Sequence, residues 1–165
     1  MYTTEEYLLD RTLIHDTVTN FYLNTDLKRW DQLRSAVSTS GITLDYTHLL
    51  GTPPQSISSD DLVGMFQGML SKTSKTQHLI TGIIPQNLPY PSEKAERPSE
   101  VTVIANAIVN IFREGIEGGN HLSNGGRGEL VLVREEKADK GNPWRVKRFA
   151  TMEGFWIKGN MKVFE

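Results

Sequence analysis

A chain of 165 residues with 38% hydrophobic content is the size of one domain and can bury a core of its own. Its 18 basic and 20 acidic residues are spread along the chain for a formal net charge of -2, which leaves no electrostatic footprint for nucleic acid or an anionic membrane surface. The lack of cysteine excludes disulfides, thiolate catalysis and sulfur-ligated zinc.

The N-terminal MYTTEEYLLDRTLIHD carries acids early and lacks the basic region and apolar core of a signal peptide. No apolar run approaches the roughly 20 residues of a membrane span. A soluble, cytoplasmic protein with no membrane and no nucleic-acid partner is expected. Thr3 and Glu6 have the spacing of a capping box, and Leu9, Leu13, Ile14, Val18, Phe21 and Tyr22 recur every three to four residues. This pattern predicts a helix from about Thr4 to Leu23. In NTDLKRWDQLRSAV, Asn24 or Thr25 can cap a second short helix with Leu27, Trp30, Leu33 and Val37 on one side, and Asp26 falls at the junction. GITLDY reads as a strand, and LLGTPPQ as a loop that its prolines keep out of either element.

SISSDDLVGMFQGMLSK predicts a capped amphipathic helix with acids in its first turn. Gly64 and Gly68 lie in its interior, where each costs about 1 kcal/mol relative to alanine; close packing against a sheet is the expected reason for them. QHLITGIIPQ is rich in β-branched residues and predicts a strand. NLPYPSEKAERPSE predicts a solvated loop. The longest strand candidate runs from Val101 to about Phe112, apolar on both faces except for Asn106 and Asn110, which share a face. REGIEGGNHLSNGG reads as a hairpin connection, and RGELVLVREE and WRVKRFATMEGFWIKGN as strands joined by a turn at KADKGNP. Helices, a strand, a helix and then three or four antiparallel strands predict one α+β domain in which a curved sheet wraps around helices.

Several of these segments together, TDLKRWDQLR, LDY at 44 to 46, DDLVGM, TQHLITG and the closing WRVKRF, resemble the scytalone dehydratase branch of the SnoaL-like, NTF2-like superfamily, collinearly over most of the chain. The resemblance implies a single domain over residues 1 to 165, a cone-shaped α+β barrel whose curved mixed or antiparallel sheet encloses a pocket with the N-terminal helices. It implies an acid/base set of Asp26, Tyr46 and His78, and a homo-oligomer formed through the exposed sheet face, a dimer before a trimer. Two departures stand out. The family's tyrosine before the aspartate is Thr25 here, and for its second histidine, on the long strand, this chain offers Asn110 or its neighbours.

The residue chemistry agrees with such a set. An imidazole held by a carboxylate has a fixed tautomer and can take a proton near neutral pH. A tyrosine can donate a hydrogen bond to a carbonyl as it becomes enolate-like. No cofactor and no metal is needed. For His78 the other reading is a core residue; Asp26 can also serve as a helix cap, and Tyr46 can be an ordinary strand aromatic. Arg127 and Glu129, two apart on a strand, point the same way, either as a solvated ion pair or as a cation and second carboxylate of the pocket. Asn106 and Asn110, Tyr22, Trp30 and Phe112 are candidate substrate contacts, and His121 either closes the mouth or sits in an exposed loop. His15 and His48 are expected to be structural or superficial, and the pairs Glu5/Glu6 and Asp60/Asp61 belong to helix starts.

These features predict a cofactor-independent enzyme of specialised metabolism. It acts on a small hydrophobic substrate, a polycyclic carbonyl compound of polyketide or terpenoid type. Because of the two departures an isomerase or cyclase is favoured over a dehydratase; the other class is a non-catalytic ligand-binding or dimerising module.

Overall fold

The computed structural model describes residues 1–135 and 141–165. Helix α1 (Thr4–Asp26) starts at the expected capping box. The Thr3 hydroxyl accepts from the Glu6 N–H at 3.2 Å, and the Glu6 carboxylate accepts from the Thr3 N–H at 3.0 Å. It runs three residues beyond the predicted end. Thr25 does not cap a new helix; its hydroxyl donates back to the Phe21 carbonyl at 3.0 Å, and the chain leaves the helix only through a left-handed turn at Lys28. Helix α2 (Trp30–Ala36) follows without a side-chain cap. Asp26 therefore sits in the last turn of α1 and caps nothing.

Strand β1 (Ile42–Asp45) leads into a single turn of helix, α3 (Thr47–Leu50), and a short strand β2 (Gln55–Ile57), neither of which the sequence pattern announced. Helix α4 (Ser59–Leu70) is capped by Ser58, whose hydroxyl accepts from the Asp61 N–H at 3.0 Å. Leu62, Val63, Phe66 and Leu70 face the core. Gly64 and Gly68 lie on the opposite, exposed side with nothing within 4 Å of a built Cβ, so the expected packing against a sheet is absent.

Strands β3 (Lys75–Pro85), β4 (Glu100–Phe112), β5 (His121–Arg134) and β6 (Trp144–Gly159) form a meander, and β1 joins β6 in parallel. The sheet order is β2-β1-β6-β5-β4-β3, with β2 and β3 as its open edges. The expected curved, mixed sheet is present and is unclosed. β5 begins at His121, so HLSNGG belongs to a strand and not to the hairpin connection. The turn expected at KADKGNP falls largely outside the described residues. A 3₁₀ turn, Met161–Phe164, ends the chain and buries Val163 against Ile111 and Leu122.

The core lies between the concave sheet face and α1. Val101, Val103, Leu130, Leu132, Trp144 and Val146 pack with Ile14 and Val18, each fully buried and each contributing about 1.5–3 kcal/mol of transfer free energy. The N-terminal end of α1 is clasped by a buried polar cluster. Asp10 accepts two hydrogen bonds from Arg97, both at 2.8 Å, one from the Tyr2 hydroxyl at 3.0 Å and one from the Trp144 indole at 3.2 Å. The loop 86–99, expected to be solvated, is thus tied down through Arg97 and through a bridge between Tyr2 and Ser92.

Candidate active site

The elements above bring Asp26 and His78 together at the end of α1 remote from the Asp10 clasp. Asp26 reaches β3 from the last helical turn. One carboxylate oxygen accepts the His78 backbone N–H at 2.7 Å, and the other lies 2.6 Å from the ring Nδ1. Both side chains are largely enclosed, with 11% and 16% of their surfaces exposed. Burial by itself raises the Asp26 carboxyl, but hydrogen bonding and charge from His78 outweigh it and hold the group below the usual carboxylate range. A carboxylate at Nδ1 selects the Nδ1–H tautomer and leaves Nε2 as the basic nitrogen.

Two phenols complete the wall. The Tyr22 ring lies 5.2 Å from the imidazole, and Phe149 spans Tyr22 and Tyr46 with centroids 6.2 and 5.6 Å away. Burial raises both phenols above their ordinary range, Tyr46 to about 12, and the neighbouring Tyr46 raises Tyr22 further. Neither hydroxyl has a hydrogen-bond partner among the described residues, yet neither oxygen is sealed from contact with water. Gly128, on the concave face, lies close by: a Cβ there would stand 3.8 Å from the Tyr22 hydroxyl, an ordinary contact distance.

The model of the SnoaL-like domain matches residues 6–150, which contain all four of these residues. The chain belongs to the SnoaL-like family. Several solved structures have the same fold. The Kfla4162 protein of Kribbella flavida superposes with a TM-score of 0.76 at 19% identity, over 93% of this chain and 95% of its own. A candidate scytalone dehydratase of Novosphingobium aromaticivorans gives 0.72 at 13%, over 96% and 92%. The hexachlorocyclohexane dehydrochlorinase LinA-type3 of Novosphingobium barchaimii gives 0.70 at 10%, over 93% and 92%. At such identities the likeness is one of fold, which is NTF2-like. No curated protein matches the chain by sequence.

Strand register decides which side chains share the sheet face that carries His78 in this SnoaL-like protein. His78 pairs with Val109, and Val109 with Asn124, so these three form one row across β3, β4 and β5 on the concave face. Asn106 and Asn110 pair with Thr81 and Gln77 and lie on the convex face, as do Phe112 and His121, which stack on each other at 4.5 Å. Arg127 and Glu129 are convex too. Arg127 pairs with Glu153 and covers Phe155, while Glu129 and Asp45 hold Arg148 between them. These six candidates belong to the outside of the sheet, because their positions differ from His78 by one step of the two-residue strand period. Trp30 packs on the main core from the start of α2.

The long-strand position that faces the dyad is Val109, so no second imidazole replaces the one missing from the sequence. The amide on that row is Asn124, a residue hidden in SNGG, which reads as a turn. Two strand spacings of about 4.8 Å place its Cα about 10 Å from that of His78. Among the described residues no three His, Asp or Glu side chains converge as a metal site would require. Two surface grooves, one of α1 against Ile83 and Pro85 and one between α1, α2 and Asn142 to Arg145, contain none of the dyad residues.

Proposed function

We propose that this SnoaL-like protein is a cofactor-independent acid/base enzyme in which Nε2 of His78 removes a proton from carbon beside a carbonyl. The observation that carries the reading is the twofold hold of Asp26 on His78, with the Tyr22 ring 5.2 Å from the imidazole and Tyr46 joined to Tyr22 through Phe149. The carboxylate stabilises the imidazolium as it forms. The Tyr22 and Tyr46 hydroxyls, kept protonated by their raised pKa values, donate to the developing enolate oxygen. The proton then returns to a different carbon, or the enolate carbon adds to a second carbonyl of the substrate, whose π bond opens and whose oxygen takes the proton back from His78, so the class proposed is isomerase or cyclase. Aromatic walls at Tyr22, Tyr46 and Phe149 suit a flat, hydrophobic, carbonyl-bearing substrate of the polyketide or terpenoid kind.

A lyase reading rests on the same first step. The imidazolium formed at His78 can protonate a departing hydroxyl, and structural neighbours include a candidate scytalone dehydratase and a hexachlorocyclohexane dehydrochlorinase. Incubation of the purified protein in D2O with polycyclic ketones tests both. Isomerisation or cyclisation leaves product mass unchanged apart from deuterium at carbon, and dehydration removes one water. Neither outcome survives His78→Gln in the proposed mechanism. Deuterium incorporation that is unchanged in that variant rules His78 out as the base.

The cytoplasm is proposed as the compartment, and a second copy of this chain as the partner. Leu79, Ile108 and Phe155 on the convex face, between 41% and 51% exposed, offer apolar surface for such a contact.

A further inference from the structure

Helix α1 ends in a turn of the Schellman type: the Arg29 N–H returns to the Asn24 carbonyl at 2.8 Å, and the Lys28 N–H to that of Thr25 at 3.1 Å. The residue that takes the left-handed conformation in such a turn is usually glycine, sometimes asparagine, because a Cβ there crowds the following carbonyl. Here it is Lys28, at φ +53°, and no other non-glycine among the described residues has a positive φ. Turn geometry alone argues against lysine at this position. What lysine adds is a cation on a long stem.

Its Nζ donates to the Leu70 carbonyl at 3.1 Å and to the Thr73 carbonyl at 2.7 Å. Leu70 closes α4, so the ammonium rests on the negative end of that helix. Thr73 is buried and turns back on the same Leu70 carbonyl through its N–H at 3.2 Å and its hydroxyl at 2.9 Å. The two dyad residues flank the ends of this link in sequence. Asp26 lies two residues before Lys28, and His78 five residues after Thr73, on the strand that the 71–74 connection feeds.

We propose that Lys28 is a positioning residue: by fastening the end of α1 to the α4–β3 connection, it sets the separation at which Asp26 keeps both of its bonds to His78. Its functional meaning rests on the acid/base reading above, its geometry does not. The link compensates for the left-handed strain that a glycine would avoid.

The test compares Lys28→Gly, Lys28→Met and Lys28→Arg by NMR on ¹⁵N-labelled protein, following exchange with water of the His78 Nδ1 proton. The Trp144 indole N–H, held by Asp10 near the other end of α1, serves as an internal reference. Loss of the link is expected to shorten the His78 lifetime on the order of tenfold in the glycine and methionine variants, while the Trp144 lifetime stays within about twofold. Arginine, which keeps a cation of similar reach, restores the parent value to within about threefold. If Lys28 serves only the turn, Lys28→Gly matches or exceeds the parent at both protons, and the proposal fails. Equal shortening at both protons, or loss of the fold, assigns Lys28 to general stability and overturns it as well. Absence of turnover in the parent would remove the acid/base reading and leave this measurement to stand by itself.

Discussion

Asp26 grips His78 at two points, the backbone N–H at 2.7 Å and the ring Nδ1 at 2.6 Å, so the carboxylate cannot rotate away from the imidazole without also releasing the strand. A grip on backbone and ring together couples the tautomer of the base to the register of β3 against α1. Asp26→Asn keeps the shape but weakens the acceptor and removes the charge that stabilises the imidazolium. Turnover is expected to fall by about 10²–10⁴-fold with the fold retained. Steady-state rates and circular dichroism check both halves, and a rate within threefold of the parent would deny the carboxylate any part in proton transfer.

The phenols make the opposite demand on stability. Their hydroxyls have no hydrogen-bond partner among the described residues, so Tyr22→Phe and Tyr46→Phe are expected to change unfolding free energy by less than about 1 kcal/mol. Each is expected to lower turnover by about 10²-fold or more if the lost donor faced the enolate oxygen. Urea denaturation beside kinetics separates the two effects. A large stability loss with intact turnover would make the hydroxyl a structural element.

Acid sensitivity should come from the other end of α1. Burial alone raises the Asp10 carboxyl, but the hydrogen bonds from Arg97, Trp144 and Tyr2 and the Arg97 charge outweigh it and hold it below its ordinary value. A carboxyl depressed in the folded state stabilises the protein above the unfolded pKa of about 4 and loses that contribution as pH falls through the folded value. Asp10→Asn leaves Arg97 without its carboxylate and is expected to cost about 3–5 kcal/mol at pH 7, the gap from the parent narrowing below pH 4. Thermal melts from pH 7 to pH 3 measure that gap, and a constant difference would contradict the linkage.

Register predicts a contrast among three asparagines. Asn124→Ala on the concave row should lower turnover or raise KM by about tenfold, a loss expected when a substrate hydrogen bond is removed. Asn106→Ala and Asn110→Ala on the convex face should leave kinetics within twofold, about 0.4 kcal/mol. Equal effects at all three would mean that substrate does not bind on the sheet face that carries His78.

The convex face carries the last expectation. Ile108→Lys with Phe155→Glu places charges amid exposed apolar surface and should convert an oligomer to a monomer, read by light scattering behind size exclusion. A parent protein that is already monomeric at micromolar concentration would remove this face as an interface.

Local signals in the sequence carried most of the architecture. The Thr3/Glu6 capping box, the amphipathic pattern of SISSDDLVGMFQGMLSK and the β-branched run from Val101 placed α1, α4 and β4 close to their observed bounds, because caps and hydrophobic periods act over a few residues. Pairing Asp26 with His78 was legible only through family resemblance; 52 residues separate them, and nothing local to either announces the other. Periodicity also showed that Asn106 and Asn110 share a face and that Arg127 and Glu129 share one. It could not say that these faces are convex, since alternation is symmetric until a helix covers one side of the sheet. That choice belongs to the packing of α1 against β3, which turned Val109 and Asn124 toward the dyad and six other candidates away from it. In the same way the amphipathic pattern found α4 but not the surroundings of Gly64 and Gly68, and the length of α1 was settled at Lys28. Its left-handed turn draws on carbonyls more than 40 residues away, a contact that only tertiary structure brings within reach.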